Sequence, residues 1–85
     1  MELMKPEWLS KRDGDVRPGT FGNAWLVLLA GEPQYRLVPV PADGKYSCEV
    51  IQTVNGKRLD KGGVFASPDE ACRGGLEDLR QALGW

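Results

Sequence analysis

The chain has no histidine, only two cysteines and almost no imbalance of charge: 11 lysine and arginine residues stand against 12 aspartate and glutamate residues. Each shortage removes a class of function. Without histidine there is neither the commonest general base nor the commonest metal ligand, so Ser-His and Cys-His nucleophile schemes are excluded. Two thiols without histidine do not complete a zinc site in one chain. A formal net charge of −1 supplies no global field to draw the protein to nucleic acid or to an acidic membrane. The longest apolar run, Ala24 to Ala30, falls far short of the roughly 20 residues of a membrane span. Met1 to Asp13, MELMKPEWLSKRD, lacks the apolar region of a signal peptide, and a secreted domain this small usually carries several disulfides. The expectation is a cytoplasmic protein with reduced thiols, no cofactor and no membrane partner.

What is present is an ordinary globular composition, 41% hydrophobic and 27% charged, too apolar for a disordered chain. A chain of this length holds one core and buries only about 60–65% of the surface its unfolded form exposes. Residues 1–23 read as an N-terminal segment. One or two helical turns fall within Met1 to Asp13, followed by an extended connector from Asp13 to Asn23 broken by Gly14, Pro18, Gly19 and Gly22. Residues 24–85 read as a single α+β domain.

Within it, Ala24 to Ala30 fits a strand, and Gly31-Glu32-Pro33-Gln34 a turn. Tyr35 to Val40 is a second strand, whose end Pro39 and Pro41 confine to a sheet edge or a bend. Pro41-Ala42-Asp43-Gly44 is the next turn. Lys45 to Val54 is a third strand, its alternation placing Tyr46, Cys48, Val50, Gln52 and Val54 on the core face and Ile51 on the wetter one. Asn55-Gly56 predicts a two-residue type I′ hairpin that sets Gln52 opposite Leu59 and Ile51 opposite Asp60. After Gly62-Gly63, Val64 to Ala66 is a short final strand. Ser67 caps a helix with Pro68 at its first position, and Cys72, Leu76, Leu79 and Leu83 form its apolar stripe up to Gly84. Gly75 lets this helix approach the sheet closely, whereas Gly74 has no evident packing reason. The fold class is α+β: an antiparallel β-meander of three to four strands packed on one C-terminal α-helix.

Few residues could carry chemistry. The carboxylate pairs Asp69/Glu70 and Glu77/Asp78 are accounted for by capping and by a solvated helix face. Cys48 and Cys72 point inward from a strand and from the helix over it, where free cysteine usually packs as a core residue. Lys57, Arg58 and Lys61 cluster on the predicted hairpin as candidate nucleic-acid contacts, but lysine also protects exposed strand edges.

The stretch Val54 to Ala71, VNGKRLDKGGVFASPDEA, resembles the arm-type DNA-binding domain of phage integrases at Gly56, Lys57, Arg58, Gly63, Phe65, Ser67, Glu70 and Ala71. The resemblance implies a three-stranded sheet with one helix and recognition of DNA by the sheet. From Pro33 onward the layout is also similar to the βββα part of double-stranded-RNA-binding domains. Pro68-Asp69-Glu70 stands where that family has a basic helix start.

Two functions compete. The first is a non-enzymatic interaction module that binds another protein or associates with itself as a homodimer. It rests on the missing catalytic groups and on apolar material in excess of one small core: Trp8, Phe21, Trp25, Ile51 and Trp85, with Ile51 beside Trp25 as a candidate interface patch. The second is nucleic-acid binding through the hairpin and sheet. An enzyme needs a cavity that one helix on four strands hardly provides.

Overall fold

A computed structural model describes residues 5–19 and 24–85. Its elements are α1 (Glu7–Ser10), β1 (Gly14–Pro18), β2 (Trp25–Leu29), β3 (Glu32–Ala42), β4 (Lys45–Gln52) and α2 (Pro68–Leu83). The four strands form one antiparallel meander in the order β1-β2-β3-β4, and α2 packs across β3 and β4.

Two-residue turns set the register of the central hairpins. Leu29 pairs with Glu32 around Ala30-Gly31, and Ala42 pairs with Lys45 around Asp43-Gly44. All four turn residues have positive φ, at 53° and 81° in the first turn and 49° and 79° in the second. These are the type I′ values whose twist matches the flanking strands. β3 therefore begins at Glu32 rather than Tyr35, and the turn expected over residues 31–34 contracts to its first residue and Ala30.

Asn55-Gly56 behaves differently from its expectation. Gln52 donates to Lys57 O at 2.8 Å, Leu59 donates to Val50 O at 2.8 Å, and Ile51 bridges Arg58. The loop therefore holds four residues, 53–56, of which only Gly56 has positive φ. Its pairing is displaced by two residues from the type I′ register. Because the displacement is even, Leu59 keeps its place against the core. Thr53 ends β4 early: its backbone N–H donates to Gln34 O and its hydroxyl to Pro33 O and Gln34 O, at 3.0–3.1 Å.

Two other expectations are corrected. Gly14–Pro18 is a ladder strand rather than a connector, paired from Gly14↔Leu29 to Pro18↔Trp25. Val64 to Ala66 contributes only one bridge, between Phe65 and Tyr46.

One face of the sheet carries the core. Trp25 and Val27 of β2, Tyr35 and Leu37 of β3, and Cys48 and Val50 of β4 meet Ala71, Cys72, Leu76 and Leu79 of α2, with Leu9 of α1 closing the end. Leu9, Val27, Leu37, Val50 and Leu79 are fully buried, each contributing about 1.5–3 kcal/mol. Thus α1 and β1, within the N-terminal segment, share this sheet and core.

The helix has the expected ends. Ser67 Oγ accepts from Glu70 N–H at 3.2 Å, and Gly84 closes the C-terminus at φ 74°. Both mid-helix glycines have a packing reason. A Cβ on Gly75 would stand 2.5 Å from Cys48 Sγ, and one on Gly74 would clash with the outer edge of the Phe65 ring at Cζ. The absence of a reason for Gly74 is corrected by Phe65, whose approach depends on the Tyr46 bridge. Among the described residues, no helix is long and apolar enough to cross a membrane.

Candidate interaction face

The strand register leaves a second face of the sheet, here called the outer face, over which no described element lies. Successive ladder partners place Arg17, Leu26, Arg36, Ile51 and Arg58 in one row across it, from β1 to the segment after β4. Arginine and an apolar residue alternate along the row, with neighbouring strands about 4.8 Å apart. On one side of the row lie Asp15 and Leu28, which are also ladder partners; on the other lie Val38 and Glu49, then Val40 and Ser47. Leu26, Val38, Val40 and Ile51 are half-buried, and Leu28 is 8% exposed.

The charges of this face are largely paired within it. Asp15 lies 3.4 Å from Arg17 Nε and 3.9 Å from Lys5 Nζ, while its Oδ1 accepts from Val16 N–H at 2.8 Å. These contacts, the backbone hydrogen bond foremost, hold its carboxyl below the ordinary value. Arg58 donates to both oxygens of Asp60, at 2.6 and 2.9 Å, and lies 3.3 Å from Glu49. Asp60 also accepts from Val50 N–H at 3.1 Å. The Arg58 hydrogen bond, followed by this backbone donor, lowers its pKa against the opposing effect of burial. Arg36 is exposed at the centre of the row and has no carboxylate within ion-pair distance among the described residues.

Among the described residues, the edges of the sheet offer few donors. Ala30 N–H donates to Asp13 O, so the backbone groups of Asp13, Asp15 and Arg17 aim at β2, and those of Gly14, Val16 and Pro18 aim outward. Pro18 has no N–H, and that of Val16 is taken by Asp15. On β3, Thr53 N–H donates to Gln34 O, so by alternation Pro39 and Pro41 aim toward the side that β2 leaves after Trp25↔Leu37. Both outward positions of that overhang are therefore prolines, as expected of a protected edge. The edge of β4 is covered by the segment 57–65, through bonds from Gln52, Leu59, Phe65 and Tyr46. Strand addition is disfavoured, and the outer face remains.

The residues singled out from the sequence separate. Trp25 is a core residue, 7% exposed, on the face opposite Ile51. The expected Trp25–Ile51 patch is corrected accordingly, because residues 26 and 51 share a face and residue 25 does not. Phe21 lies outside the described residues. Trp8 and Trp85 do come together, with ring centroids 6.0 Å apart and planes at 57°, and the Arg12 guanidinium lies 4.8 Å from the Trp85 ring. With Glu7 and Lys11 they line an open cleft of about 360 Å³. Lys57 is exposed, Arg58 is held by Asp60 and Glu49, and Lys61 is tied to α2 through Asp78 and Gln81. Arg17 and Arg36 carry no signal in the sequence that marks them as site residues. Their shared row appears only once the turn at Ala30-Gly31 is known.

Elsewhere several polar groups have local partners, although the buried Asp69 Oδ1 has no hydrogen-bond partner among the described residues. Asp69 pairs with Arg73 and Glu77 with Arg80, while Asp78 accepts from the Lys61 backbone at 3.0 Å. Cys48 and Cys72 are buried free thiols. The neighbouring Cys72 thiol and burial together push the Cys48 thiol far above its ordinary value, so it stays protonated at neutral pH. Among the described residues, no group of three or more Cys, Asp or Glu side chains could hold a metal ion. The chain matches no family model, no curated protein and no solved structure.

Proposed function

We propose that the chain is a non-enzymatic interaction module that engages protein through the outer face of its sheet. One observation carries this reading: the cross-sheet row Arg17–Leu26–Arg36–Ile51–Arg58 lies on a face that no described element covers. Apolar side chains between arginines suit a protein interface, where arginine is enriched and its stem buries apolar area while its head finds a carboxylate. The blunted edges support the face over strand addition as the mode of binding.

The test is affinity capture with matched baits, wild type against Ile51→Arg and Val38→Asp. Both substitutions leave the core face untouched. Partners recovered by wild type, further copies of the chain included, are lost with both variants. An identical set from all three baits contradicts the reading.

Nucleic-acid binding through the hairpin and sheet is the second reading, favoured by three arginines in one row and by the exposed Lys57. Against it, Asp15, Glu49 and Asp60 already sit on two of those arginines. This reading expects affinity that falls steeply with salt and is lost in a Lys57→Ala/Arg36→Ala double variant. Binding that ignores salt rules it out.

A further inference from the structure

We infer that the occupant of the outer face is a second copy of this chain, related by a two-fold axis; this rests on the proposed function of that face. The argument is the arrangement of charge. The arginine row is flanked by Glu49, in register with Val38 on one side, and by Asp15, in register with Leu28 on the other. Rows on one face of a strand are two residues apart, about 7 Å. An axis lying in the interface, parallel to the rows and midway between the Arg36 and Val38 rows, turns each arginine row onto the partner's Val38–Glu49 row, in which Glu49 is the one carboxylate. Residue i then meets residue j and j meets i, the condition for an isologous contact.

In that arrangement Ile51 of one copy faces Glu49 of the other, and Arg36 faces Val38. The Arg36 head reaches diagonally toward the opposite Glu49, which it shares with the Arg58 that already lies 3.3 Å from that carboxylate. The sheets pack about 10 Å apart at roughly 30°. Arg36 thereby gains the carboxylate it lacks among the described residues of its own chain. A register that places Arg36 on Arg36 sets like charges together and is disfavoured. The four strands present a projected area of only roughly 300 Å² per copy, against about 800 Å² per partner in a standard interface. The dimer is therefore concentration-dependent, forming in the range of about ten micromolar to one millimolar.

The experiment is sedimentation equilibrium of the purified chain across that range, at low and high salt, for wild type, Arg36→Glu, Glu49→Lys and an equimolar mixture of the two variants. Circular dichroism spectra matching wild type establish that each variant is folded. The expected result is a mass that doubles with concentration for wild type and less completely at high salt, stays monomeric for each variant alone, and doubles again for the mixture. The mixture recovers because the carboxylate introduced by Arg36→Glu then faces the ammonium introduced by Glu49→Lys, while the native Arg36–Glu49 contact persists on the other side of the axis. A wild-type chain that stays monomeric throughout overturns the second copy. Variants that dimerise as wild type does, or a mixture that does not recover, overturn the row pairing. These outcomes are separate from the proposed function, which falls only if the Ile51→Arg and Val38→Asp baits capture what wild type captures.

Discussion

The Phe65 ring occupies the space where Gly74 would carry a Cβ, and Cys48 Sγ does the same one residue further along α2, at Gly75. Both glycines weaken an isolated helix by about 1 kcal/mol each relative to alanine. Their tertiary roles reverse the usual expectation for a glycine-to-alanine change. Gly75→Ala meets Cys48 and Val50 on the rigid sheet and costs about 1–3 kcal/mol net. Gly74→Ala meets the far edge of a ring that can swing aside, and costs less. Urea unfolding of the two variants gives that order, and combining Gly74→Ala with Phe65→Leu restores part of the loss.

Ala30 adopts φ 53° in the turn between β2 and β3, a conformation that penalises an alanine by roughly 1 kcal/mol. Asparagine tolerates it and closes type I′ turns. Ala30→Asn therefore stabilises the protein by about 0.5–1 kcal/mol, read as a higher urea midpoint with an unchanged slope.

Asp60 binds Arg58 and Val50 N–H with a carboxyl held below its ordinary value. A lowered native pKa means that its contribution is fully present above the unfolded carboxylate value, about 3.9. That contribution is lost as pH falls below this value toward the native pKa. Asp60→Asn removes the ion pair, costs about 1–2 kcal/mol at pH 7, and leaves a shallower loss of stability on acidification. Thermal melts from pH 7 to pH 2 on both proteins check the sign.

Pro39 and Pro41 occupy the outward positions of the β3 overhang. The double change Pro39→Val/Pro41→Thr puts two N–H donors on an edge that no described residue pairs with, beside the apolar Val38 and Val40. The account expects it to associate through that edge and to bind an amyloid-reporting dye on standing, which the wild-type chain does not.

How far the fold could be read depended on whether a signal was local. The α2 ends, Ser67, Pro68 and Gly84, and the stripe through Cys72, Leu76 and Leu79 were legible because caps and period are local properties. The alternation of β4 is legible for the same reason through Tyr46, Cys48 and Val50, but Val54, expected on the core face, lies in the loop beyond Gln52 and is 78% exposed. Asn55-Gly56 misled, because Thr53 is drawn to Pro33 and Gln34 across the sheet, which widens its loop to four residues. Ala30-Gly31 carries no recognisable turn signal because alanine rarely takes positive φ. Without that turn neither the start of β3 nor the row that brings Arg17, Arg36 and Arg58 together is legible. β1 was missed because its five residues carry two charges, a glycine and a proline; its pairing comes from β2, not from its own composition.

The most direct test of the outer face is a two-dimensional NMR map of backbone amide shifts between dilute and concentrated protein, repeated with any captured partner added. The account predicts that the shifts gather at Leu26, Arg36, Val38, Glu49 and Ile51 and spare α2. Shifts centred on Lys57 at the loop tip, or on Trp8, Arg12 and Trp85 at the cleft, with the sheet face unmoved, contradict it.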